Sequence, residues 1–95
     1  MPEMHFRIRW PDGARETCYS PSLIVKEYFT PGETYALQQF LRHSRSALTI
    51  ASDRVREKYG MSCSRALDQL ARIEAAGQSF AQIADARVSI EAFED

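Results

Sequence analysis

Two cysteines, Cys18 and Cys63, and two histidines, His5 and His43, are the side chains of this sequence best suited to nucleophilic or proton-transfer chemistry. Cys63 follows Tyr59-Gly60-Met61-Ser62 and precedes the repeat Ala66, Leu67, Leu70, Ile73, so it falls at the first turn of a predicted helix. Unpaired N–H groups and the helix dipole there favour thiolate, which makes Cys63 the candidate catalytic residue. The competing reading, which the phase favours, has Cys63 packed in line with Ala66 and Leu70 as a small hydrophobe. Cys18 faces the same way as Glu16 on a predicted strand and offers less. No spacing ties either histidine to a cysteine or carboxylate, whereas metal ligands recur at three- or four-residue steps or as close Cys/His pairs. Neither a metal nor a cofactor is therefore expected. The sequence also has no glycine-rich phosphate loop, no GxSxG elbow and no recognisable carboxylate pair.

A second constellation is cationic. Met4, Phe6, Ile8 and Trp10 alternate with His5, Arg7 and Arg9, the period-2 pattern of a half-buried strand. Pro11-Asp12-Gly13 predicts a three-residue hairpin loop with a glycine bulge, and Arg15 to Tyr19 a return strand. With Trp10 and Ala14 flanking the turn, His5 stands opposite Tyr19, Arg7 opposite Thr17 and Arg9 opposite Arg15. His5, Arg7, Arg9, Arg15 and Tyr19 thus gather on the outer face as candidate binding residues for a carboxylate, a phosphate or an acidic surface. A solvated polar face is the plainer alternative.

The remaining elements must position these groups. Ser20-Pro21 is read as the start of a short helix from Leu23 to Tyr28, and Thr30-Pro31-Gly32-Glu33 as a connector. From about Ala36, apolar residues Leu37, Phe40, Leu41, Leu48, Ala51, Val55 and Tyr59 recur at helical steps, predicting an amphipathic helix of about six turns. Gly60 reads as its terminating glycine, and Ser62 or Ser64 as the cap of a second helix running to about residue 80. Arg87 to Phe93 closes as a strand with Val88 and Ile90 inward and Ser89 and Glu91 outward. The expected fold is α+β: a three-stranded sheet with the first strand central, packed against an antiparallel helix pair in the order ββ(α)ααβ, forming one domain over residues 1–95. Phe6 and Leu48 are expected in its core.

Composition narrows the function classes. A chain of 95 residues with 44% hydrophobic and 26% charged residues is long enough for one core and too apolar for the disordered class. Its net charge of −1 supplies no broad positive field for nucleic acid or an anionic membrane. The predicted helix pair could mimic a helix-turn-helix with Ser64, Arg65, Asp68, Gln69 and Arg72 as readers, but the acidic residues and the long first helix argue against it. The N-terminus alternates, and no apolar run approaches the ~18 residues that span a bilayer, so a cytoplasmic protein with reduced thiols is expected.

Five segments, RWPDG at 9–13, CYSPS at 18–22, YFTPG at 28–32, ASDRVREKYG at 51–60 and CSRALDQL at 63–70, together resemble a small bacterial family of nitrogen-starvation-response proteins. The resemblance covers nearly the whole chain. It implies a setting in nitrilase gene clusters, beside radical-SAM, acetyltransferase and flavin-dependent oxidoreductase genes, and no catalytic residues. Ala36 stands where the family is expected to carry proline. The absence of an assembled site and the small size make a non-catalytic accessory protein of that pathway, with partners among its proteins, the leading expectation. A small enzyme or ligand carrier using Cys63, and a structural homo-oligomer built on a sheet edge or the long helix, are the alternatives.

Overall fold

Alternating apolar residues do build the first strand, β1 (Met4–Arg9), in the computed structural model, which describes residues 2–94. Met4, Phe6, Ile8 and Trp10 are all buried. The loop has the expected form: Trp10 and Gly13 close it through their N–H groups, Gly13 holds φ 89°, and the Asp12 carboxylate accepts the Ala14 N–H at 3.0 Å. A side chain at Gly13 would be strained at that φ, which is why the turn uses glycine. Strand β2 (Arg15–Ser20) returns antiparallel in the predicted register.

Ser20 stays in β2 instead of capping a helix, and the short helix α1 covers only Val25–Tyr28, two residues shorter than expected at its start. Ser22 provides the polar contacts instead. Its hydroxyl accepts from the Ile24 N–H and from Arg54, and the Ser20 hydroxyl donates to its carbonyl. The connector then enters a strand that the sequence does not announce, β3 (Thr34–Ala36). It pairs with the last strand, β4 (Arg87–Glu94), as Thr34 with Ser89, Tyr35 with Val88 and Ala36 with Arg87. The expectation of three strands in the order ββ(α)ααβ is thereby corrected. The sheet is four-stranded and antiparallel, with spatial order β2-β1-β4-β3 and element order β1β2α1β3α2α3β4. The first strand is interior, as expected.

Helix α2 (Leu37–Tyr59) spans the predicted six turns and ends at Gly60, whose φ of 80° lets its N–H bond to the Arg56 carbonyl at 2.7 Å. At Ala36, which precedes it, φ is −58°, the value a proline ring would impose, so alanine leaves the helix entry unchanged. Helix α3 (Ser64–Gln78) starts after Cys63 without a serine cap and stops two residues earlier than expected, the chain turning at Ser79. Phe80 still reaches the core edge, stacking on Trp10 at 5.6 Å between centroids.

The helix hairpin covers one face of the sheet. Phe6, Ile8, Val88 and Ile90 from the strands meet Phe40, Leu48, Ala51 and Ile73 from the helices, and α1 adds Val25 with Phe29 behind it. Gly77 allows the helices to approach: a Cβ there would stand 2.8 Å from a methyl of Leu41. Phe6 and Leu48 are fully buried, as the alternation and the helical stripe predicted.

Candidate functional site on the open sheet face

Among the described residues no layer covers the second face of the sheet, and it carries the cationic constellation. His5 pairs with Tyr19, Arg7 with Thr17 and Arg9 with Arg15. On the other side of β1 the register breaks: Arg7 pairs with Ala92 but Ile8 with Ile90, which leaves Glu91 as an extra residue on β4. A bulge of this kind bends a strand and re-aims a side chain. Glu91 is turned so that its carboxylate meets both Arg9, at 3.3 Å, and Arg15, at 3.1 Å.

Arg9 facing Arg15 across two strands would be repulsive alone. The shared carboxylate removes that repulsion. Arg7 pairs separately with Glu94 at 2.7 Å. Three guanidinium groups and two carboxylates therefore form a network with one positive charge in excess. A shallow depression of about 500 Å³ lies beside it, lined by Arg7, Arg15, Thr17, Glu91, Ala92 and Glu16.

His5 and Tyr19 occupy the other end of the face, their rings edge to face at 5.7 Å. The Tyr19 hydroxyl donates to Glu3 at 3.1 Å, and the Arg65 guanidinium lies over its ring at 3.9 Å. Desolvation, the hydrogen bond to Glu3 and that carboxylate's charge push the phenol above its ordinary pKa, against the pull of Arg65. Tyr19 is thus a proton donor throughout the neutral range. Its backbone N–H, on the outer edge of β2, is bonded to the Gln69 side chain of α3 at 2.9 Å.

The candidate nucleophile lies beside this end of the face, close enough for its charge to add to the upward shift of Tyr19. Cys63 is half-buried at the N-cap of α3, with no side-chain cap bond, so it precedes the first turn instead of belonging to it. Cys18 is fully buried, and burial, aided by the charge of Glu16, drives its thiol pKa far upward. His43 joins neither: its Nδ1 lies 3.1 Å from the Tyr28 carbonyl, and its ring packs among Tyr28, Phe29 and Tyr35. Among the described residues no group of three or more His, Cys, Asp and Glu side chains could hold a metal. Among the same described residues no helix is long and apolar enough to cross a membrane.

Sequence reasoning placed the cations correctly and missed the anions. Glu91 was readable only as an outward residue of the last strand and Glu94 fell beyond that strand's expected end, since their pairing depends on β4 lying beside β1 and on the bulge. Glu16 was also missed: half-buried at the sheet edge, it accepts from the Trp10 indole at 3.0 Å and from Arg72 at 2.6 Å.

The family model for nitrogen starvation-induced protein NitG matches residues 5–93, which include both strands of the cationic face and the helix hairpin. The chain belongs to this family. No curated protein and no solved structure shows a significant match. The nitrogen-starvation setting expected from the five segments is therefore shown by the family.

The network predicts a specific response to substitution. Glu91→Gln should lower stability by up to about 1 kcal/mol at low salt, because Arg9 and Arg15 are left facing each other on an exposed face. The loss should shrink at about 1 M salt, where the Debye length is about 3 Å. Thermal melts at two ionic strengths measure it, and a salt-independent loss would count against the shared-carboxylate geometry.

Proposed function

We propose that this chain is a non-catalytic accessory protein of the nitrogen-starvation response, serving a nitrilase-cluster pathway by docking the open face of its sheet onto an acidic surface of a partner protein. The observation that carries the reading is the sharing of Glu91 by Arg9 and Arg15. Exposed ion pairs are worth about 0–1 kcal/mol each, so a partner carboxylate can replace Glu91 or Glu94 at small cost. The guanidinium forks then find bidentate acceptors, with Tyr19 and His5 adding flat contact area beside them. The β-bulge holds the charges at a fixed spacing, so little ordering entropy is lost on docking.

The test is a binding titration of the purified chain against purified products of the neighbouring genes. Arg9→Glu with Arg15→Glu should weaken binding at least about tenfold, and Glu91→Gln should strengthen it by freeing both arginines. Binding that ignores all three substitutions, or no binding to any of these products, would sink the proposal.

A further inference from the structure

The sheet ends at β2, and the outer side of that strand is open. Trp10 donates its N–H to the Ala14 carbonyl at 2.8 Å, which makes Trp10 and Ala14 a bonded pair of the hairpin. Bonded pairs alternate along an antiparallel ladder, so Ile8 with Glu16 and Phe6 with Cys18 take the next bonds. The backbone groups of Arg15, Thr17 and Tyr19 therefore point away from β1. Tyr19 bears out this parity, since its N–H meets the Gln69 side chain of α3 at 2.9 Å. Among the described residues no such group reaches the N–H of Arg15 or Thr17. The N–H and C=O groups of both residues are thus offered on an open edge, the template for a further strand.

Gln69 adds a second observation. Its Oε1 accepts from Tyr19, which fixes which end of the amide is nitrogen, and its Nε2 is buried without a hydrogen-bond acceptor. A buried donor without a partner is costly, and a carbonyl brought beside it removes the cost. A depression of about 320 Å³ lies here, lined by Tyr19, Arg65, Asp68, Gln69 and Arg72. The Arg65 and Arg72 side chains around the amide are exposed and can be displaced. The larger depression of the open face borders Arg15, Glu16 and Thr17, so the two follow one another along the edge. An extended chain that pairs with Arg15 and Thr17 runs on past Tyr19, where Gln69 already holds the N–H, and there sets a carbonyl against Nε2.

Charge and register select the occupant. The Arg15 and Arg72 side chains are 59% and 69% exposed, whereas the carboxylates that meet them, Glu91 and Glu16, are 24% and 16% exposed. The rim of the edge thus presents guanidinium outward, with Asp68 as the opposing charge beside Arg72. A second copy fits this edge poorly. Paired antiparallel about Thr17, it meets Tyr19, whose N–H is already taken, at both ends; paired about Glu16, it sets Glu16 against Glu16.

We propose that the β2 edge takes up an extended acidic segment of a partner protein as a fifth strand of the sheet. The proposal rests on the acidic docking described above and specifies its form: backbone pairing at Arg15 and Thr17, a carbonyl at Gln69, and carboxylates at alternate positions facing Arg15.

The test is an NMR titration of the isotopically labelled full chain with a blocked peptide of about seven residues in which glutamate and valine alternate. The Arg15 and Thr17 amides and the Gln69 side-chain amide should shift together, with a Kd of about 1 mM or tighter, and the Thr17 N–H should exchange more slowly. A peptide of the same charge with alternate amides N-methylated should bind at least about tenfold more weakly, because it cannot pair with the edge. So should a peptide with lysine in place of glutamate. Thr17→Pro, which removes an outward N–H and spares the ladder to β1, should abolish the response. Equal binding of the N-methylated peptide would overturn strand addition and leave the docking of the open face standing. The proposal is equally overturned by equal binding of the lysine peptide, by an unchanged response in Thr17→Pro, or by no shift at Arg15 and Thr17 with up to about 10 mM peptide. A concentration-dependent shift of those amides in the chain alone would make a second copy the occupant and overturn it as well.

Discussion

Phe29→Ala should lower the stability of the fold by about 3–5 kcal/mol, a large part of what a domain of this size has to lose. Phe29 is 2% exposed at the C-terminal end of α1, and its ring contacts four others: Phe6 at 6.2 Å, Tyr35 at 5.2 Å, Phe40 at 5.4 Å and His43 at 5.6 Å between centroids. It therefore joins the sheet, through Phe6 and Tyr35, to α2, through Phe40 and His43. Removing the ring forfeits the transfer free energy and leaves a cavity bounded by three elements that are each held by other contacts and cannot all collapse inward. The loss should exceed that of Tyr28→Ala, whose neighbouring side chain is only half-buried. Denaturant titration of the two variants decides the point. Equal losses, or a loss for Phe29→Ala below about 1 kcal/mol, would show that α1 does not anchor the core.

Neither Phe29 nor β3 was legible in the sequence, and for related reasons. The hairpin of β1 and β2 declares itself locally: a period of two, a turn whose Asp and Gly have defined tasks, and a register that follows once the turn length is known. The long helix declares itself through seven turn-spaced apolar residues. Phe29 stands in an irregular link with no period to continue, and its burial depends on where α2 passes. Thr34–Ala36 is too short to show alternation, and it becomes a strand where the Ile90 N–H donates to the Glu33 carbonyl and the Ile90 carbonyl accepts from the Gly32 N–H, across more than fifty residues of sequence. The same distinction holds in the candidate site. His5, Arg7, Arg9, Arg15 and Tyr19 follow from the hairpin register, whereas Glu91 reaches Arg9 and Arg15 only because β4 takes an extra residue against β1. A bulge is a mismatch between two strands, and neither strand alone records it. At Cys63 the sequence put the thiol one step too far into the helix, since neither serine takes the capping role.

The two cysteines should differ in reactivity by at least about a thousandfold at neutral to mildly alkaline pH. Cys63 is half-buried at the hairpin end, where a reagent can approach; Cys18 is fully buried under α3. Desolvation pushes the Cys18 thiol well above its ordinary pKa, and Glu16 adds to the shift while Arg72 opposes it. Its modification must then wait for opening of the fold, and unfolded fractions of about 10⁻³ to 10⁻⁶ set the ratio of rates. A thiol-specific chromophoric reagent should therefore label Cys63 in a fast phase and Cys18 in a slow one. The slow phase alone should remain in Cys63→Ser, and the phases should merge in denaturant. Comparable native rates would contradict the burial of Cys18. The fast phase also tests the nucleophile reading, since a midpoint well below the free-thiol value of about 8.5 would revive it and an ordinary midpoint removes it. The Cys18 shift has a second consequence, in stability. The folded state holds the thiol proton more tightly than the unfolded chain, so this contribution is fully present below the unfolded pKa. It is lost as pH rises above about 8.5, by up to about 1.4 kcal/mol per pH unit. Cys18→Ala should flatten the alkaline limb of the stability curve by that slope, leaving the smaller part that Tyr19 contributes in the same direction at higher pH. An unchanged limb would mean that Cys18 ionises as freely in the native protein as in the unfolded one.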